Sequence, residues 1–243
     1  QATASVISRE AAVLCGMAWF NAVFAELDTD IRIDWQARDG DTLASGQTVC
    51  TLNGPARGLL TGERTALNFL QTLSATASLA RRYAERVADL PVKILDTRKT
   101  IPGLRAAQKY AVRIGGCHNH RSGLYDAFLI KENHIAAAGS IAQAVGQAAA
   151  GNPGKLIEVE VEDEPGVHEA LATAANRLLL DNFTTDALRA AVTLVDGRVE
   201  LEASGSFNLD NLRAAAETGV DYISVGGLTK NIQAVDLSMR FDI

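Results

Sequence analysis

The chain has 243 residues, with 29 acidic against 23 basic side chains, a formal net charge of -6, and 47% hydrophobic but only 5% aromatic residues. That balance excludes a non-specific nucleic-acid binder, which needs many exposed cations against phosphate, and it excludes a disordered chain. A core drawn mostly from Ala, Val, Leu and Ile suits parallel strands covered by helices, in a chain of the size typical of one α/β barrel.

The start, Gln1 to Ala4, carries neither the basic nor the apolar region of a signal peptide, and no apolar run approaches the roughly 18 residues of a membrane span. The three cysteines, Cys15, Cys50 and Cys117, are odd in number, widely spaced and free of any C-x-x-C pairing. No disulfide framework is expected from them, so the expected compartment is a reducing cytoplasm, with no membrane and no nucleic acid as partner.

Alternating or β-branched runs predict short strands at Ala4 to Ile7, Ile31 to Trp35 and Thr48 to Leu52, separated by turn material such as Arg38-Asp39-Gly40-Asp41. A helix over about Cys15 to Leu27 interrupts them. A longer helix is predicted from Gly62 to about Asp89, where Leu67, Leu70, Leu73, Ala77, Ala80 and Ala84 recur at helical spacing. Residues 1–90 therefore read as an α+β sandwich domain with a bridging helix.

After Pro91 the pattern changes to apolar runs that end in polar residues: Val92 to Asp96, Phe128 to Lys131, Leu156 to Glu160, Leu178 to Asp181, Val199 to Glu202 and Tyr222 to Val225. Helices are predicted between them at about Gly103 to Ile114, Ser140 to Ala150, Pro165 to Ala175, Thr185 to Leu194 and Leu209 to Thr218. Strand–helix alternation with continuously apolar strands implies a parallel sheet built by right-handed crossovers. Six such strands over 91–227 predict an α/β fold with a parallel barrel that is closed or nearly so, a doubly wound open sheet being the alternative, and residues 228–243 are expected to pack back on the first domain. No G-x-G-x-x-G opens the first of these helices, which removes the best sign of a doubly wound sheet.

Within this acidic chain, the stretch from Arg98 to Lys131 holds seven cations, Arg98, Lys99, Arg105, Lys109, Arg113, Arg121 and Lys131, against the single acid Asp126. Such charges repel unless an anion or neighbouring carboxylates compensate them, and the stretch is too local for a nucleic-acid duplex. In a parallel barrel the reactive groups sit at the C-terminal strand ends. Arg98, Lys99 and Lys131 stand at such ends, whereas Arg105, Lys109 and Arg113 recur at helical spacing and read as a helix face. Arg98, Lys99, Arg121 and Lys131 together suit a ligand with several anionic groups.

The Cys117-His118-Asn119-His120 run matches no zinc spacing, so His120, beside Arg121, is read as a further hydrogen-bond donor to an anion, and His168 as ordinary surface. Glu158 and Glu160 alternate along one strand and face one side, and Asp181 ends the next. Inward-facing carboxylates must meet the basic cluster, a divalent cation or sugar hydroxyls; magnesium held by one or two carboxylates plus ligand phosphates fits, and a buried salt-bridge layer is the structural alternative. Ser204-Gly205 and Gly226-Gly227 offer backbone amides of the kind that cradle phosphate.

Several of these motifs together closely resemble the quinolinate phosphoribosyltransferase family over nearly the whole chain. They are Gly62-Glu63-Arg64-Thr65-Ala66-Leu67-Asn68, Asp96-Thr97-Arg98-Lys99-Thr100-Ile101-Pro102-Gly103-Leu104-Arg105, Asn119-His120-Arg121 and Leu129-Ile130-Lys131-Glu132-Asn133-His134, then Glu158-Val159-Glu160-Val161, Leu180-Asp181-Asn182-Phe183 and Gly219-Val220-Asp221-Tyr222-Ile223-Ser224-Val225-Gly226. The resemblance implies an open, incomplete parallel α/β barrel packed against an N-terminal α+β sandwich domain, in an enzyme that makes nicotinate mononucleotide, carbon dioxide and pyrophosphate from quinolinate and phosphoribosyl pyrophosphate, in de novo NAD synthesis. It implies that Arg98, His120, Arg121 and Lys131 hold the quinolinate carboxylates, with Arg64 reaching the same pocket from the partner subunit of a homodimer. It also implies that Lys99, Glu160, Asp181, Ser204, Gly205, Gly226 and Lys230 surround the phosphoribosyl group and its Mg2+, with Glu160 and Asp181 as the metal ligands and Lys99, Glu160 and Asp181 as the catalytic set.

Two positions depart from the family pattern: Ser206 stands where a second glycine is commoner, and Lys230 where histidine is frequent. The family's helical segment with an E-D-x-x-x-G-D-x-T-like run does not precede Gln1 in this sequence. Two rival readings are a relative with a changed acceptor, as in molybdenum-associated paralogues, and a Schiff-base aldolase using Lys131.

Overall fold

The computed structural model describes residues 1–241. In chain order the elements are β1 (Ala2–Ser8), β2 (Ala12–Val13), α1 (Met17–Leu27), β3 (Arg32–Trp35), β4 (Thr42–Leu43), β5 (Thr48–Gly54), α2 (Ala56–Arg86), β6 (Lys93–Leu95), α3 (Arg105–Ile114), β7 (Phe128–Ile130) and α4 (Glu132–Ala138). There follow α5 (Ile141–Gly151), β8 (Ile157–Val161), α6 (Glu164–Leu171), β9 (Arg177–Asp181), α7 (Thr185–Val195), β10 (Glu200–Ser204), α8 (Leu212–Ala216), β11 (Tyr222–Ser224), α9 (Gly227–Lys230) and β12 (Leu237–Phe241). They form two compact units, one from 1–82, 100–117 and Leu228 onward, the other from 83–99 and 118–227.

The first unit is built on an antiparallel sheet of order β12-β1-β5-β3, with β2 and β4 paired separately. One face of the sheet buries Ala4, Val6, Cys50 and Leu52 against Phe20 and Phe24 of α1 and Leu59, Leu67 and Leu70 of α2. Helix α1 starts where Asp39 accepts the amides of Gly16 and Met17 at 3.0 and 3.2 Å, so the expected turn at 38–41 also caps a helix.

Helix α2 begins six residues before the expected Gly62, directly after Pro55, whose fixed φ suits a helix start. Gly58 and Gly62 lie inside it because α1 and its following turn approach too closely for a side chain. A Cβ on Gly62 would stand 2.5 Å from the Phe24 ring, and one on Gly58 2.9 Å from Ile31. Helix α3, expected within the barrel half, groups with the first unit instead, because Ala107 and Ala111 pack with Val13, Cys15, Leu73 and Ala77. Lys109 is not on an exposed face of α3 but is buried, at 3% exposure.

The second unit is a six-stranded, wholly parallel sheet of order β6-β11-β10-β9-β8-β7, its strands joined by helices. Ile157, Val159, Val161, Leu178, Leu180, Leu201 and Ala203 form one buried apolar face of the sheet, while Glu158, Leu179 and Glu202 are buried on the other, so these strands are covered on both sides. The first and last strands do not pair with each other. The free edge of β6 is taken instead by the chain at His118, whose amide donates to Ile94 at 2.8 Å and whose carbonyl accepts from Asp96 at 3.0 Å. That extra segment keeps the barrel open, and it carries the Asn119-His120-Arg121 motif to the rim.

Candidate active site

Register sets the strand ends side by side. Ser204 of β10 lies opposite Asp181 of β9, and Glu160 of β8 opposite Leu179. Alternation then places Glu160, Leu179 and Asp181 on one face of the sheet, two carboxylates separated by one apolar position.

At this rim is a cavity of about 260 Å³ lined by Thr97, Arg98, Lys99, His120, Arg121, Leu129, Lys131, Glu160, Leu179, Glu202, Ser204 and Ser224. The four predicted cations of the strand-end set, Arg98, Lys99, Arg121 and Lys131, thus share one enclosure with two apolar walls. Burial and the neighbouring Arg98 charge hold the Arg121 guanidinium below its ordinary pKa, the sign of a cation stripped of water beside another cation. The Arg121 side chain is fixed by donation from Nη1 to the Ala127 carbonyl at 3.1 Å.

The charges that are compensated are compensated locally. Lys131 Nζ donates to Glu160 Oε2 at 2.6 Å. Asp181 accepts from Ser204 Oγ at 3.0 Å and from Asn182 Nδ2 at 2.8 Å, with Asn182 held at φ 56 in the left-handed region. Gly205, at φ 154, follows Ser204, and a Cβ there would come within 3.1 Å of Asn182 Oδ1. Asp181, Gly205 and Gly226 lie at the strand ends but outside the cavity's own lining. Arg64, on α2, and Lys230, at the end of α9, are exposed side chains of the first unit.

Below the cations sits a buried polar layer. His120 Nε2 is 3.0 Å from Glu158 Oε2 and 3.3 Å from Glu202 Oε2, both carboxylates fully buried and the imidazole 10% exposed. Arg177, whose guanidinium stacks 3.9 Å from the Tyr222 ring centre, approaches Glu202 at 3.7 Å and pairs with Glu200 at 2.7 Å. The alternative of a buried salt-bridge layer is therefore present too, sharing His120 and Glu202 with the cavity wall.

Burial raises the Glu158 carboxyl above the ordinary carboxylate range. Burial acts the same way on Glu202, but His120 and Ser224 overcome it and leave Glu202 below that range. For His120, burial would depress the imidazole, yet Glu158 and Glu202 outweigh it and push it up to about 9. An imidazolium would carry a second ring proton on Nδ1, facing the Arg121 amide hydrogen across 2.7 Å, whereas the structure has that amide donating to Nδ1. Because the extra proton can sit on Glu158 at the same net charge, the amide contact decides for the neutral ring with its hydrogen on Nε2.

The donor atoms of His120, Glu158 and Glu202 lie within 4.8 Å of one another, the one group among the described residues close enough to hold a cation, and it includes neither Cys117 nor His118. Arg177 already supplies positive charge there. Of the carboxylates at the strand ends, Glu160 and Asp181 offer oxygen-only donors, the type that a hard cation such as magnesium takes. His168 pairs loosely with Glu164 at 3.7 Å on the surface of α6.

Asp96 and Glu202 end apolar strands in the sequence, yet neither was assigned a role from it. Fully buried, Asp96 accepts from the His120 amide at 2.9 Å and from Asn119 Nδ2 at 2.6 Å, pinning the His120-Arg121 segment to β6. An acid closing an apolar strand was the available signal. Asp96→Ala leaves both donors stranded and is expected to cost about 2–3 kcal/mol of stability, read from urea unfolding. Loss of less than half that amount would show that the segment holds itself.

A family model described as quinolinate phosphoribosyl transferase, N-terminal domain, matches residues 1–74, and one described as its C-terminal domain matches residues 76–240. The chain is 43% identical over 238 residues to the probable nicotinate-nucleotide pyrophosphorylase [carboxylating] of Bacillus subtilis (strain 168), spanning 97% of this chain and 82% of that protein. It is 42% identical over 242 residues to the nicotinate-nucleotide pyrophosphorylase [carboxylating] of Mycobacterium leprae (strain TN), spanning 98% and 85% respectively. The solved nicotinate-nucleotide pyrophosphorylase of Francisella tularensis superposes with a TM-score of 0.97 at 46% identity, covering 99% of this chain and 86% of that one. The chain belongs to the quinolinate phosphoribosyltransferase family.

Proposed function

We propose that the chain converts quinolinate and phosphoribosyl pyrophosphate to nicotinate mononucleotide, carbon dioxide and pyrophosphate, as a pentosyltransferase of de novo NAD synthesis. The observation that carries this reading is the single cavity in which Arg98, Lys99, Arg121 and Lys131 meet beside Glu160. A ligand with two adjacent carboxylates satisfies two guanidinium forks and an ammonium at once.

In this reading Arg98, Arg121 and Lys131 hold the two carboxylates, with His120 closing the floor. Lys131 leaves Glu160 for the ligand, which frees the Glu160 carboxylate. Lys99, Ser204, Gly205, Gly226 and Lys230 serve the phosphoribosyl group. Glu160 and Asp181 would hold magnesium together with the sugar diphosphate, and the ion would supply charge neutralisation for the departing pyrophosphate. The grip on the carboxylates holds the pyridine nitrogen against the anomeric carbon, so the nitrogen–carbon bond forms as the bond to pyrophosphate breaks. The ring nitrogen then bears positive charge. That charge stabilises the electron pair which the carbon–carboxylate bond leaves on the adjacent ring carbon as carbon dioxide departs, and the same carbon then takes a proton.

Initial rates with quinolinate and with nicotinate as acceptor test the reaction. Pyrophosphate release that depends on quinolinate is expected, and release with nicotinate alone would indicate a changed acceptor. A Schiff-base role for Lys131 is disfavoured because its Nζ donates to Glu160 rather than standing free in an apolar pocket.

We further propose a homodimer in which Arg64, exposed on α2, enters the partner's cavity. Arg64→Ala and Arg121→Ala, each nearly inactive alone, should regain about a quarter of wild-type activity when mixed and reassembled, since random pairing leaves half the molecules as heterodimers with one intact site each. No recovery would place Arg64 in its own subunit's cavity. A cytoplasmic location is part of the same reading: Cys15, Cys50 and Cys117 are buried and none is in a disulfide, as suits a reducing compartment.

A further inference from the structure

His120 faces the cavity with its ring, but neither ring nitrogen is directed to a ligand. Nε2 lies between the buried carboxylates of Glu158 and Glu202, at 3.0 and 3.3 Å, and Nδ1 accepts the backbone amide of the next residue, Arg121, at 2.7 Å. The His120 amide is itself held by Asp96 at 2.9 Å. The imidazole is thus clamped from below by two strands, β8 and β10, and clamps in turn the peptide that carries Arg121.

We propose that Glu158, Glu202 and His120 form a positioning unit, which acts on the acceptor through the Arg121 backbone and not by a hydrogen bond from the imidazole to the substrate. This rests on the reading of the cavity as the quinolinate site and deepens it. The two carboxylates demand a hydrogen on Nε2, which leaves Nδ1 as an acceptor, the only form that can receive the Arg121 amide. With the amide fixed on one side and Nη1 fixed to the Ala127 carbonyl on the other, the guanidinium enters the cavity from one direction. A side chain anchored at both ends loses little freedom when an anion arrives.

Glutamine in place of either carboxylate keeps the shape but can donate to Nε2, which stabilises the opposite tautomer and breaks the Nδ1 contact. For Glu202→Gln and Glu158→Gln the expected result is a rise in KM for quinolinate of about tenfold, equivalent to one lost charge-assisted hydrogen bond, with KM for phosphoribosyl pyrophosphate within about twofold. Glu202→Asp, which retains the carboxylate, should recover part of the loss. An unchanged KM for quinolinate in both glutamine variants overturns the proposal.

Nitrogen-15 spectra of the wild-type enzyme test it without relying on variants that fold. The His120 ring signals, identified by their loss in His120→Asn, should show hydrogen on Nε2 and a bare Nδ1, both in the free enzyme and with quinolinate added alone. A proton on Nδ1 in either state overturns the positioning role. The spectrum of the free enzyme needs no substrate, so it stands apart from the reaction itself: no pyrophosphate release from the wild-type enzyme would sink the proposed activity, while the tautomer decides the role of His120.

Discussion

Arg121→Ala should lower kcat/KM for quinolinate by roughly 10²- to 10³-fold, the loss of a guanidinium that makes two charge-assisted bonds to one carboxylate. KM for phosphoribosyl pyrophosphate should hardly change. Stability should move by less than about 1 kcal/mol, because the guanidinium is desolvated beside Arg98 and the variant relieves that repulsion while giving up one bond to Ala127. Arg121→Lys should recover only part of the activity, since an ammonium cannot make two parallel bonds. A variant that loses stability and activity together would mark Arg121 as a structural residue.

The second large effect falls on the two carboxylates at the ends of β8 and β9. Asp181→Asn and Glu160→Gln are each expected to reduce kcat by about 10²-fold or more, with no rise in KM for quinolinate, because they remove oxygen donors that suit a metal and leave the cationic lining in place. The two should differ in one respect. Glu160 accepts from Lys131 at 2.6 Å, so Glu160→Gln releases an ammonium into the cavity and should tighten dicarboxylate binding in calorimetry, whereas Asp181→Asn should not. Chelation of magnesium should abolish turnover in the wild-type enzyme, and excess magnesium should partly restore the Asp181→Asn variant. Chelator-resistant turnover would remove the metal from the account.

Much of this site was legible because a parallel strand is apolar until it ends, so the first polar residue after each run marks the rim. Arg98, Lys131, Glu160, Asp181 and Ser204 were found in that way. The open barrel was implied by the family resemblance and not by the strand count, since six apolar runs equally suit a barrel that closes; the sheet order, with β6 and β7 at its two ends, shows it open. What occupies the gap was not legible: the bridge at His118 depends on backbone bonds to β6 that no side-chain pattern encodes.

Other features were hidden by residues with two meanings. The start of α2 was placed too late because its apolar period becomes regular only after Gly62; Gly58 and Gly62 within its first two turns are close contacts with Ile31 and Phe24. The short helix α4 has no buried residue and hence no apolar period to detect. Lys109 looks like surface by type, yet it is buried on α3. His120 was recognised as part of the anion site from its neighbour Arg121, but the carboxylates beneath it come from strands 38 and 82 residues further along, Glu158 and Glu202, and only the fold brings them to one imidazole.

The most direct measurement is a crystal structure of the enzyme with quinolinate bound. Both carboxylates are predicted in the cavity beneath Thr97 and Ser224, one at about 3 Å from the Arg121 guanidinium and the pair shared with Arg98 and Lys131, with Lys131 withdrawn from Glu160. Quinolinate bound elsewhere, or seated in the cavity with Lys131 still on Glu160 and no guanidinium within hydrogen-bonding reach, would contradict the assignment.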